Sequence, residues 1–179
     1  MRGIICYYSG SGNTKLAINY LRNRIINVDF ELYDIVKNDF PDLSNYNIVG
    51  FATFSDFGGV PQYFHSFFDK IEPQPDKYAF VFNTYGAMSL KTLKSLADLA
   101  QSKQFNVLVG HSLHTPESYP PMRIRNRSYN TSPSQKELDQ FNTFLLNISG
   151  IATRQVFRKH HRLTSKELTS RELKKRLLL

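Results

Sequence analysis

The sequence has 179 residues, of which 41% are hydrophobic and 13% aromatic, and its formal net charge is +8. This length and composition predict one globular domain with a sizeable core, and no run of about 18 apolar residues suggests a membrane-spanning helix. The charge is uneven, because nine basic and only two acidic residues follow Gly150. We therefore expect a nearly neutral domain over residues 1–150 and a basic C-terminal tail over residues 151–179.

Cys6 is the single cysteine of the sequence, which excludes an internal disulfide and a cysteine-ligated iron–sulfur cluster within this chain. It lies in an apolar run and is predicted to be a core residue. No secretory signal is recognised before this run, and we expect a cytoplasmic protein. Nucleic acid is not an expected partner, since Phe157 is the only aromatic residue of the tail and single-strand binders stack bases on several.

Apolar runs alternate with helical patterns along the chain. Strands are predicted at residues 3–8, 30–35, 48–54, 78–82 and 105–110. Helices are predicted from about residue 15, across 64–71, across 90–100 and across 138–148. The second run is only half apolar, as in an edge strand. Residues 111–134 show no periodicity and contain four prolines, which predicts a long irregular loop.

This alternation predicts an α/β fold with a doubly wound, five-stranded parallel sheet, strand order 2-1-3-4-5 and helices on both faces. In such folds, ligands bind beyond the carboxyl ends of the strands, where the strand order reverses. Here that point lies between the first and third strands. We expect the loops after strands one, three, four and five to meet there.

The segment Tyr8-Ser9-Gly10-Ser11-Gly12-Asn13-Thr14 joins the first strand to the first helix. A turn of small residues before a helix directs several N–H groups to one point, where the helix dipole adds positive potential, and this is typical of a phosphate site. A dinucleotide fingerprint would need a third glycine at Lys15, and a triphosphate loop would need a Gly-Lys dipeptide, so neither motif matches. An ordinary Gly/Ser turn remains the alternative.

Four loops carry a resemblance to the flavodoxin family. Residues 8–14 resemble the flavodoxin phosphate loop, with serines at positions 9 and 11 where threonines are usual. Residues 51–61 are similar to the loop under the flavin ring, and residues 83–87 to the loop on its other side. Residues 114–119 resemble a Met-Pro-x-Asn-Tyr stretch in the flavodoxin half of flavodoxin–ferredoxin fusion proteins, although the ferredoxin cysteines have no counterpart in this sequence.

The resemblance implies FMN as the cofactor and electron transfer to or from a redox partner as the function. With no tryptophan in the chain, the candidates for stacking on the ring are Phe54, Phe57, Tyr85 and Tyr119. No catalytic residue and no metal ligand is predicted. The implied cofactor-binding residues are Ser9, Gly10, Ser11, Gly12, Asn13, Thr14, Phe54, Ser55, Asp56, Phe57, Gly58, Gly59, Thr84, Tyr85, Gly86, Ala87 and Tyr119.

Two other functions stay open from the sequence. One is an NAD(P)H-dependent flavin or quinone reductase, so whether the protein is an enzyme is undecided at this point. The other is a flavin-free module of the same fold that binds its partners through the basic tail, because such tails contact nucleic acid or anionic membranes in some proteins.

The expected partner of an electron carrier is a protein redox centre. An acidic ferredoxin would suit, because Arg123, Arg125 and Arg127 fall in the loop that would border the ring. These arginines alternate by two and would share one face of an extended segment, although a merely solvated loop is an equal alternative. His111 and His114 flank the same predicted site, where a histidine could tune the flavin or pass protons.

Overall fold

The structure is a computed structural model that describes residues 1–154 except residues 126 and 128. Its five strands form one parallel sheet in the order β2-β1-β3-β4-β5. The predicted fold class and strand order are confirmed, and β2 is the expected edge strand. The strands are β1 (Arg2–Tyr7), β2 (Asp29–Asp34), β3 (Ile48–Phe54), β4 (Tyr78–Tyr85) and β5 (Asn106–His114).

Helices connect the strands and cover both faces of the sheet. They are α1 (Asn13–Arg24), α2 (Gln62–Asp69), α3 (Thr92–Ser102) and the short α4 (Pro120–Ile124). A further helix, α5, begins at residue 135 and continues through residue 154. It passes Gly150, and Ala152 is fully buried in the core. The tail from residue 155 onward lies outside the described residues, and none of the described helices is both long and apolar enough to cross a membrane.

Side-chain alternation along the strands builds one hydrophobic cluster on each face of the sheet. In β1, Ile5 and Tyr7 pack with residues of α1 and α5, whereas Ile4 and Cys6 pack with residues of α2 and α3. Strands that are covered on both faces have continuous apolar sequences, as β3 does. Cys6 is fully buried, which raises the pKa of its thiol, and its predicted place in the core is confirmed.

The carboxyl ends of β4 and β5 extend further than their apolar runs predict. Polar side chains can be buried at these strand ends because they hydrogen-bond to one another. The Ser112 hydroxyl donates to Asn83 Oδ1 over 2.6 Å, and the Asn83 amide donates to Ser89 Oγ over 3.1 Å. The network satisfies buried polar groups and connects the end of the sheet to the loop that follows β4.

The prediction of a loop without regular structure over residues 111–134 is wrong. Residues 111–114 complete β5, and Pro120 and Pro121 occupy the first positions of α4, where a missing N–H breaks no helical hydrogen bond. Arg123 lies in α4 and Arg125 follows it, so the extended segment in which the arginines would alternate does not exist. Leu90 is also outside its predicted helix, because α3 begins two residues later.

Candidate functional site

A cleft of about 420 Å³ opens at the carboxyl ends of β1, β3, β4 and β5. This is the predicted reversal point of the strand order, and the four predicted loops meet there. The volume is within the range of about 300–1,000 Å³ that is common for small-molecule sites. The lining residues are Ser11, Asn13, Phe54, Ser55, Asp56, Phe57, Gly58, Thr84, Tyr85, Gly86, Ala87, Met88, Thr115, Pro116, Glu117, Ser118, Tyr119, Pro120 and Met122.

The loop of residues 9–14 presents backbone donors at the start of α1. Gly12 caps the helix with φ 97°, a left-handed conformation that glycine adopts without strain. The N–H of Lys15 donates to Ser9 Oγ over 3.2 Å, and the N–H of Leu16 to the Gly12 carbonyl over 2.9 Å. Within the part of the chain that the structure describes, the N–H groups of residues 10–14 have no protein acceptor.

Thr14 ties this loop to the neighbouring strand end. Its hydroxyl is buried and lies 2.8 Å from the hydroxyl of Thr84. On the other side of the loop, the Asn13 amide donates to the Pro116 carbonyl over 2.9 Å. The loop is therefore fixed to both β4 and the segment after β5, which keeps its free donors in a constant position relative to the cleft.

Residues 54–59 form the second wall of the cleft. The Phe54 ring lies 5.2 Å from the ring of Tyr8, and the Ser55 N–H donates to the Thr84 carbonyl over 2.8 Å. A tight turn follows, in which Asp56 and Gly59 exchange two backbone hydrogen bonds. Gly59 thus builds the turn rather than lining the cleft. Phe57 lies at the tip with φ 47° and is 83% exposed.

Glu117 joins the two remaining loops inside the cleft. Its Oε2 accepts the N–H of Ala87 over 2.9 Å, and its Oε1 accepts the N–H groups of Ser118 and Tyr119 over 2.8 and 2.9 Å. Gly86 permits this contact, because a Cβ there would overlap both the carboxylate and the Cα of Glu117. The site therefore includes a fixed carboxylate that was not among the predicted site residues.

The two histidines of β5 lie outside the cleft lining. The His114 ring stacks on Tyr85 with ring centres 5.1 Å apart, and its Nδ1 lies 3.1 Å from Glu137 Oε1. The His111 ring packs against Phe141 and Phe144 of α5. Burial lowers the pKa of His111, and its Nε2 is buried without a partner among the described residues. His114 thus stacks behind the cleft residue Tyr85, whereas the half-buried His111 packs against α5.

Glu137 gives α5 a capping box. Its carboxylate accepts the N–H and the hydroxyl of Ser134 over 2.7 and 2.8 Å. These hydrogen bonds, that from the Ser134 backbone first, lower the pKa of Glu137, and His114 adds to the effect. The start of α5 is therefore anchored beside Tyr85.

The structure brings most predicted site residues together but gives some of them supporting roles. Ser9, Gly10, Gly12 and Thr14 shape the first loop without lining the cleft, and Gly59 shapes the second. Among the lining residues, Thr115 to Ser118 lie in a segment that carries the resemblance, whereas Met88 and Met122 have no sequence signal. No group of three His, Cys, Asp or Glu side chains suited to a metal ion occurs in the described ranges.

No protein-family profile matches the sequence. The chain is similar to an uncharacterized protein of Methanocaldococcus jannaschii, with 35% identity over 80 residues, which is 44% of this chain and 53% of that protein. The chain thus spans about half the length of this curated relative.

Solved structures show the same fold. A flavodoxin from the domain Archaea matches with a TM-score of 0.62 and 16% identity, over 86% of this chain and 99% of that one. Flavodoxin 2 from Bacillus cereus matches with a TM-score of 0.66 and 15% identity, over 84% and 99% of the two chains. At such identities the likeness extends to the fold alone, so this protein has a flavodoxin-like fold.

Proposed function

We propose that this protein binds FMN in the cleft and transfers electrons to or from a protein partner. The observation that supports this most strongly is the row of unused N–H groups at residues 10–14, at the start of α1 and beside an aromatic cleft. Consecutive free donors at a helix start favour an anion such as a phosphate. The loop of residues 9–14 contains no carboxylate that would repel one.

The residues around the cleft fit the two ends of FMN. Ser11 and Asn13 lie where the donor loop meets the cleft, and they would hold the phosphate end together with the free N–H groups. Phe57 and Tyr119 are exposed at the cleft, and their rings meet edge to face with centres 5.6 Å apart, so a flat aromatic ring would stack on one of them rather than between them.

Bound FMN would supply the redox chemistry, and the protein would supply binding, orientation and electrostatics. The N–H groups of Phe57, Gly58 and Gly86 have no acceptor among the described residues and would hydrogen-bond the ring edge, because those of Ser55, Asp56 and Ala87 are already bonded within the protein. The loops are held from behind, since the Thr92 hydroxyl lies 2.9 Å from Ser55 Oγ and 3.2 Å from the Gly59 carbonyl. Flavin binding in this cleft is also supported by the fold neighbours that are named flavodoxins.

Titration with FMN tests the proposal, with visible absorbance and melting temperature as readouts. We expect saturable binding, and we expect Ser11→Glu to weaken it by at least about tenfold, because a carboxylate there opposes the phosphate. Ser66→Glu on α2 adds the same charge away from the cleft and should leave the affinity unchanged. A protein that does not bind FMN, or equal effects of both variants, would refute the proposal.

A separate measurement distinguishes an electron carrier from a reductase. The FMN-loaded protein is mixed with NADH or NADPH and a quinone, and nicotinamide oxidation is followed at steady state. For a carrier we expect only slow nicotinamide oxidation, at a rate that substitutions in the cleft do not change. Turnover at rates of about 1 per second or more, within the range of ordinary enzymes, would instead assign the protein to the reductases.

A further inference from the structure

An apolar patch surrounds the mouth of the cleft. We call it the rim patch, and it consists of Phe57, Met88, Leu90, Tyr119 and Ile124, all of them exposed. Four of these residues lie next to one another at the cleft, because Phe57 contacts Tyr119, Leu90 packs over Gly58, and Met88 lines the same cleft. Ile124 lies one helical turn after Pro120, another lining residue. Exposed apolar patches of this kind commonly mark interaction surfaces.

Two of the exposed residues of the rim patch have a strained backbone. Phe57 and Leu90 have φ values of 47° and 40°, in the left-handed region that costs a residue with a Cβ about 1–3 kcal/mol. Their side chains are nonetheless 83% and 69% exposed, so core packing does not recover that cost. A partner that buries these side chains would.

The charge beside the rim patch is positive. Arg123, Arg125 and Arg127, which we call the arginine loop, are all exposed. The end of this segment stays beside α4, since the N–H of Arg127 donates to the carbonyl of Met122, which lines the cleft. In the described ranges none of the three pairs with a carboxylate. Two carboxylates line the cleft beside the patch, the exposed Asp56 in the turn before Phe57 and the half-buried Glu117, whose oxygens accept three backbone N–H groups.

We propose that the rim patch and the arginine loop together form the docking surface for an acidic protein redox partner. This rests on the proposed function, since a partner seated there would cover the cleft and whatever it holds. Unpaired arginines at the edge of an apolar centre suit a partner with carboxylates around its own redox centre. A second copy of this chain is disfavoured, because each copy has a net charge of +8.

Binding to an acidic [2Fe–2S] ferredoxin tests the surface, by calorimetry on the full chain with and without FMN at ionic strengths of about 20 and 500 mM. We expect the triple variant Arg123→Gln, Arg125→Gln, Arg127→Gln to weaken binding about tenfold at low salt and much less at high salt. Ile124→Ser should weaken it about threefold at both, because its contribution is apolar. Basic cytochrome c should bind more weakly than the ferredoxin.

Matched control variants distinguish the effect of the docking surface on binding from the effect of net charge. The triple variant Arg22→Gln, Lys70→Gln, Lys103→Gln removes the same charge at the amino ends of the strands, and Ile26→Ser alters an isoleucine that is 95% exposed there. Both should bind like the wild type. Equal losses in the two triple variants would overturn the proposal, as would stronger binding of cytochrome c than of ferredoxin.

A different occupant of the docking surface would give a different experimental result. Sedimentation with vesicles of anionic phospholipid but no ferredoxin binding would overturn the proposal in favour of a membrane surface. Self-association that Ile124→Ser abolishes would overturn it in favour of a dimer. Binding to ferredoxin that depends on the patch in a chain that does not bind FMN would uphold the surface and refute the FMN proposal, so the two failures are distinguishable.

Discussion

Glu117 lines the cleft, and three backbone N–H groups hold its carboxylate in place. Adding electrons to a ligand in the same cleft places negative charge near negative charge. The Glu117→Gln variant removes the charge and keeps an oxygen for hydrogen bonding. With a Coulomb term of about 1–2 kcal/mol, it should raise the midpoint potential of bound FMN by about 20–40 mV.

A reductive titration against a reference dye measures this shift. Glu72→Gln is the control, because Glu72 is an exposed carboxylate before β4, at the opposite end of the sheet. The midpoint potential of FMN bound to this variant should match that of FMN bound to the wild type. A Glu117→Gln potential that is unchanged or lower would contradict the role given to this carboxylate.

His111 is a polar side chain packed among aromatic rings of the core, with one ring nitrogen unpartnered. Because burial lowers its pKa below the ordinary 6.5, the unfolded chain binds the proton first as the pH falls. The fold is therefore not penalised by this titration above pH 6.5, and it loses stability as the pH falls from 6.5 through the folded-state pKa of His111. Removing a buried polar group without a partner also relieves a desolvation cost of about 1–3 kcal/mol.

We thus expect His111→Leu to raise the free energy of unfolding at pH 7 by about 1 kcal/mol, and to flatten the fall in stability below pH 6.5. Urea unfolding at several pH values measures both effects. Leu146→Ala, at an exposed position of α5, is the control and should keep the wild-type pH profile. A His111→Leu protein that is less stable at pH 7, with the wild-type pH slope, would contradict this account.

Among the elements, the loop after β4 and the segment after β5 are held together by close backbone approach at Gly86. A Cβ at this position overlaps Glu117, whereas a Cβ at Gly150, within α5, meets no atom within 4 Å. We expect Gly86→Ala to destabilise the protein by about 1–3 kcal/mol through overpacking. Gly150→Ala should stabilise it by about 0.5–1 kcal/mol, because alanine loses less entropy in a helix. Urea unfolding of both variants measures the difference, and the reverse order would contradict the packing described here.

The elements also show how far sequence reasoning reaches. The continuous apolar run of β3 and the phenylalanine stripe of α2 are local patterns, and both were predicted closely. The ends of β4 and β5 were missed because Asn83 and Ser112 are polar, and their burial depends on a hydrogen bond between two strands. The short α4 was missed because prolines that break a helix interior are favourable at its start.

The same difference between local patterns and long-range contacts explains which parts of the site could be predicted. The donor loop at residues 9–14 is a local motif and could be predicted from the chain alone. The role of Glu117 depends on contact with Gly86 and Ala87, about 30 positions earlier in the sequence, and no local pattern reports such a contact. The exposed positions of Phe57 and Leu90 likewise follow from left-handed backbone conformations that their residue types do not suggest.

At the scale of the whole molecule, the sheet reversal, the donor loop and the aromatic walls converge on one cleft. We propose that this cleft binds FMN through its phosphate as well as its ring. Riboflavin has the same ring and lacks the phosphate, so it isolates the contribution of the loop at residues 9–14.

The most direct test is therefore the ratio of the dissociation constants for riboflavin and FMN, measured by quenching of flavin fluorescence with the full chain. Free N–H donors at a helix start are expected to favour the phosphate by at least about 1.4 kcal/mol, which makes FMN bind at least about tenfold more tightly. Equal affinities for the two flavins, or no quenching of FMN at all, would contradict the account.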